Sequence, residues 1–136
     1  MAKRHSEILP LVVYLLKQYG GIATAELIRQ GLIKHFSLET STIYINRVSR
    51  FLEKEGLVRV MPFSRFKILF DQVTKEKKQK KNSTPISSIL RNVKDPKTNI
   101  IILINKETKE LHQYLREAEK VLKETKELKD HLSKLM

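Results

Sequence analysis

Cysteine and tryptophan are absent, glycine and proline occur four times each, and acidic residues number only 15 in 136 positions. Without cysteine there is no disulfide, no thiolate nucleophile and no Cys-type zinc site. No uncharged apolar run approaches the roughly 18 residues of a membrane helix. Charges also interrupt the first apolar residues too early for a signal peptide, so an intracellular chain that does not enter a membrane is expected. The four histidines, His5, His35, His112 and His131, are scattered. Neither an HExxH pair, a phosphate loop nor a nucleophile motif occurs, and the acidic residues form no cluster suited to acid–base work. The reading is a non-enzyme with no metal and no cofactor.

What is present is positive charge. Lys and Arg number 27, giving a net charge of +12. Such an excess suits a polyanionic partner, because neutralising phosphates releases condensed counterions. The charge is unevenly spread: net +5 over residues 1–71, +6 over 72–99 and +1 over 100–136. A basic front and a balanced tail imply two jobs.

Apolar periodicity organises the chain. Ile8, Leu11, Val12, Leu15, Leu16 and Tyr19 recur at helical spacing up to Gly20-Gly21. Pro10 is tolerable there only in a first turn. Thr24 is a good N-cap for a second helix burying Leu27, Ile28, Leu32 and Phe36, which Gly31 weakens. Ser37 can cap a third helix, 38–55, ended by Gly56. "LVRV" and "FKILF" then read as strands of a β-hairpin with "MPFSR" at its tip, Val58, Val60, Ile68 and Phe70 inward. "TKEKKQKKNS" reads as a lysine-rich linker. Thr84-Pro85 and Asp95-Pro96 look like helix starts, the first for a short helix with Ile86, Ile89, Leu90 and Val93. The second opens a long helix of about 40 residues, roughly 60 Å. Over 99–104, "NIIILI" is favoured as helix, with a strand as the alternative because of its β-branching.

The expected fold is therefore mainly α with a small β-hairpin: a winged helix-turn-helix domain (1–72), a linker (73–84) and a coiled-coil-like helical dimerisation region (85–136). On the third helix, Ile45, Val48 and Leu52 face inward, while Glu39, Ile43, Asn46, Arg47, Arg50 and Lys54 gather opposite. Its N-terminal part would enter the major groove, with Thr42, Ile43, Asn46 and Arg47 against bases. There Asn46 suits adenine, Arg47 suits guanine and Ile43 suits a thymine methyl. Arg50 and Lys54 would meet phosphates, as would Ser64, Arg65 and Lys67 on the wing at 61–67. Lys75, Lys77, Lys78, Lys80 and Lys81 would add sequence-independent affinity.

The stretch "ELIRQGLIKHFSLETSTIYINRVSRFLEKEGLVRV" resembles the winged helix-turn-helix of small regulators of the MarR and PadR type. Its "FLEKEGLV" ending is the most characteristic piece, and the likeness extends over residues 6–71. A basic winged helix with a long C-terminal helix also resembles archaeal DNA-binding proteins that dimerise through a coiled coil. The resemblance implies Asn46, Arg47 and Arg50 as recognition residues and Arg65 and Lys67 as wing residues.

In the tail, Leu115 and Leu122 at a place Leu111, Ala118 and Leu132 at d, with Tyr114, Val121, Leu128 and Leu135 at g. This stripe is too costly to leave in water, at about 1.5–3 kcal/mol per leucine. The expected partners are double-stranded DNA and a second copy through Leu111, Leu115, Ala118, Leu122, Leu128, Leu132 and Leu135. The C-terminal helix could also take a further protein; a tail folded back on its own domain is the alternative. A cytoplasmic, nucleoid-associated regulator of transcription is the first functional expectation. An architectural, segregation or replication-accessory protein of low sequence specificity is the second.

Overall fold

The computed structural model describes residues 5–77, 85–105 and 108–136. Its elements are α1 (His5–Gln18), β1 (Ile22–Thr24), α2 (Ala25–Phe36), α3 (Thr42–Lys54), β2 (Val58–Pro62), α4 (Phe63–Lys77), α5 (Pro85–Asn92), β3 (Asn99–Leu103) and α6 (Lys109–Leu135). The protein is mainly α, with a small antiparallel sheet and a long C-terminal helix.

α1 is apolar almost all round and accordingly buried: Ile8, Leu9, Leu11, Val12, Val13, Leu15 and Leu16 all lie in the core. Pro10 sits in its interior, beyond the first turn. α2 and α3 pack against α1 and each other. The Thr24 hydroxyl accepts the Leu27 N–H at 3.1 Å and so caps α2 as its sequence suggests. Gly31 stands where α2 meets α1. A Cβ there would collide with the Tyr19 hydroxyl and press on Leu15, so this glycine serves close packing.

Ser37 does not start the third helix. It ends α2 in the left-handed region (φ 52°), while Ser41 caps α3 by accepting the Tyr44 N–H. The third helix is thus 42–54 instead of 38–55, because two Ser residues compete and only Ser41 stands next to the apolar periodicity.

The strand order is β1-β3-β2, with β3 in the centre. Ile22 faces Ile102 across one ladder; Val58 faces Leu103 and Val60 faces Ile101 across the other. The expected hairpin within 57–70 is not formed. "FKILF" belongs to α4, since Phe63, Phe66 and Phe70 recur at helical spacing and the first two are buried. The partner of β2 is "NIIIL", expected as helix and found as β3. Asp95-Pro96 opens no helix; the Asp95 carboxylate accepts the Lys97 N–H in a turn before β3. Pro85 does begin α5, where Ile89 is buried; Thr84 and the side chain of Ile86 lie outside the described residues.

The two faces of β3 explain its unbroken apolar run. Ile101 and Leu103 join the α1–α3 core, whereas Ile100 packs with Ile22, Phe63, Phe66 and Ile89 beneath α4 and α5. A central strand covered on both sides needs no polar alternation. Residues 63–98 are thus an insertion between two paired strands, and its helices α4 and α5 fold back as a second layer over the sheet.

α6 is shorter than the expected 40 residues. Thr108 caps it, accepting the Leu111 N–H, and it runs 27 residues, about 40 Å. Its first half docks on α1 of the same chain, burying Leu111, Leu115 and Ala118. The region 85–136 therefore supplies β3 and the start of α6 to the same core as the front of the chain.

Candidate nucleic-acid interface

α3 buries Ile45, Val48, Ser49 and Leu52, which turns Ile43, Arg47, Arg50 and Lys54 to solvent. Ile43 is 67% exposed, which is costly for an isoleucine. Thr42 is half-buried at the start of the helix. Four of the expected contact residues therefore share one open face, on the strength of the 3.6-residue period alone.

Asn46 departs from expectation. It is half-buried on the flank of α3, and its Oδ1 is shielded with no hydrogen-bond partner. A bidentate grip on adenine uses both the amide oxygen and the amide nitrogen. In this conformation the oxygen is withdrawn, and Asn46 would have to change rotamer to read a base.

Ser64, Arg65 and Lys67 are exposed, but on the first turns of α4 and not on a β-hairpin tip. The first turn of α4 is held by the segment before β3: the Phe63 and Ser64 amides donate to the Thr98 and Pro96 carbonyls at 2.8 and 3.1 Å. This anchoring places Arg65 beside β2 and the C-terminal half of α3. Lys75 is exposed near the end of α4. The Lys77 side chain and Lys78, Lys80 and Lys81 lie outside the described residues. Residues 63–98 carry ten Lys and Arg against three Asp and Glu, net +7, so the insertion is the most basic part of the chain.

Between α3, β2 and α4 lies an open groove of about 450 Å³, lined by Arg50, Glu53, Arg59, Val60, Met61, Pro62, Arg65 and Leu69. Among the described residues Glu53 is the only acid that lines it. One carboxylate oxygen accepts the Val60 N–H at 2.8 Å and the other the Arg50 guanidinium at 3.2 Å. The Val60 amide, followed by Arg50, holds the Glu53 carboxyl below its usual range. Arg59 was not among the sequence-based candidates. Strand alternation signals its outward direction, but which layer it would face depends on the fold of α4.

The C-terminal end of α3 is also braced from α6 and β3. The Tyr114 hydroxyl on α6 donates to the Glu55 carboxylate at 2.9 Å, and burial followed by that bond pushes the phenol up to about 12. The Asn105 side-chain amide and the Ile104 backbone amide donate to Gly56 and Leu57 carbonyls. The β3–α6 junction thereby fixes the turn that ends α3.

Of the tail residues, Leu111, Leu115 and Ala118 are buried in their own chain and Leu122 is half-buried. Leu128, Leu132 and Leu135 stay exposed, at 59, 51 and 71%. The expected seam thus divides into an internal half and an open half. Among the described residues no group of three His, Asp or Glu could hold a metal ion, and no helix is long and apolar enough to cross a membrane. No family model matches the chain, and comparisons with curated proteins and with solved structures find no match.

Proposed function

We propose that this protein is a dimeric DNA-binding protein of winged-helix type, acting as a transcriptional regulator that lays α3 in the major groove. The observation that carries the reading is the open face of α3, where Ile43, Arg47, Arg50 and Lys54 project together, with Arg50 also paired to Glu53 at its edge. Arg47 reads guanine, Ile43 meets a thymine methyl, and Arg50 and Lys54 meet phosphates. The insertion 63–98 takes the place of the wing, with Ser64, Arg65, Lys67 and the lysines that follow along the backbone. A second copy covers Leu128, Leu132 and Leu135, setting two α3 helices on half-sites roughly 34 Å apart or a multiple of it.

The withdrawn Asn46 oxygen and the +7 insertion favour a second reading, an architectural or segregation protein of low sequence preference. Binding to genomic fragments and to random duplex, at two salt concentrations, separates them. A regulator prefers a few fragments, and Arg47→Ala relaxes that preference by about 1–3 kcal/mol at the lost base contact. A flat profile removes the regulator, and no binding to any duplex removes both readings.

A further inference from the structure

We propose that the groove between α3, β2 and α4 is a backbone clamp for nucleic acid, in which Arg50, Arg59 and Arg65 grip phosphodiester groups. The inference rests on the DNA-binding reading and deepens it by adding Arg59 and assigning α4 the part of the wing. Three arginines from three separate elements line one groove: the outer face of α3, the α4-facing side of β2 and the first turn of α4. Arg59 stands opposite Ile102 in the ladder, on the sheet face that α4 covers, so its direction is set by strand alternation.

The groove is cationic by construction. The one carboxylate lining it among the described residues, Glu53, is occupied by the Val60 amide and by Arg50. Arg59 feels Glu53 through space, and among the described residues neither Arg59 nor Arg65 forms an ion pair. The planar fork of a guanidinium matches two phosphate oxygens at once, which an ammonium does not. Met61, Pro62 and Leu69 give the groove an apolar surface, which suits the sugar between successive phosphates. Position matters too: Arg50 belongs to the groove and lies one helical turn after Arg47 on the open face of α3. A strand held in the groove would bring its neighbouring bases beside the N-terminal half of that helix.

The test is the salt dependence of duplex binding for the full chain and for Arg59→Ala, Arg65→Ala and the double variant. All three change exposed side chains, and circular dichroism checks that the fold is kept. Each lost phosphate contact is expected to lower the slope of log affinity against log salt by about 0.9, and the double variant by about 1.8. The loss should be the same on unrelated duplex sequences, since a phosphate carries no sequence. Glu53→Gln, which keeps an acceptor for the Val60 amide, should tighten binding. Parental binding with unchanged slopes in the arginine variants would overturn the clamp and leave the DNA-binding reading intact. A slope change confined to one sequence would also overturn it, by making these arginines base readers. A parent indifferent to duplex at low salt would remove the clamp and the DNA-binding reading together.

Discussion

Replacing Leu111 by alanine and Leu132 by alanine should separate the two halves of α6. Leu111 is 1% exposed, inserted between α6 and the core around α1. Leu→Ala at such sites costs about 2–5 kcal/mol, the upper part coming from the cavity left behind. Leu111 already borders a recess of about 240 Å³ with Lys17, Gly20, Gly21 and Leu103, which gives its surroundings room to relax. A mid-range loss of about 3 kcal/mol follows, or about 10 °C in Tm for a chain of this size. Leu132 is 51% exposed, and its truncation should change the stability of an isolated chain by less than about 0.5 kcal/mol. If a second copy covers it, however, Leu132→Ala lowers Tm at high protein concentration and not at low. Thermal unfolding followed by circular dichroism at two concentrations reads both effects. A Leu111→Ala variant within about 0.5 kcal/mol of the parent would refute the docking of α6 on α1. A concentration-independent Leu132→Ala would refute its place in a dimer.

Ser37 holds a left-handed conformation that costs an L-residue about 1–2 kcal/mol, partly offset by the unfolded-state entropy of glycine, so Ser37→Gly should stabilise by about 0.5 kcal/mol in denaturant unfolding. The Tyr114 phenol is raised from 10.0 to about 12, so the folded state holds this proton more tightly than the unfolded chain does. Its contribution is complete below pH 10 and is lost as pH rises toward 12. A phenolate absorbance titration should show a late component that Tyr114→Phe removes, and an unchanged curve would place Tyr114 away from Glu55.

The elements up to residue 60 were largely legible because local signals decide them. The 3.6-residue period of α1 to α3, the Thr24 cap and the glycine after α3 act over a few residues each. The open face of α3 follows from the same period, which is why Ile43, Arg47, Arg50 and Lys54 were found. One local choice misleads: Ser37 looks like a cap for α3, but Ser41 supplies it.

Beyond residue 60, long-range partners decide. "FKILF" carries both a strand alternation and a helical phenylalanine spacing, and burial of Phe63 and Phe66 against Ile100 selects the helix. "NIIILI" suits a strand only once two layers cover it, and those layers come from segments far apart in sequence. The tail's stripe announces that apolar surface must be covered, without saying by what. Composition and periodicity determined the basic front, the three helices and an amphipathic tail. Tertiary structure decided the strand partners, the helical insertion and the arginine groove, because the free energy that selects them arises from burial between residues that are not neighbours in the chain.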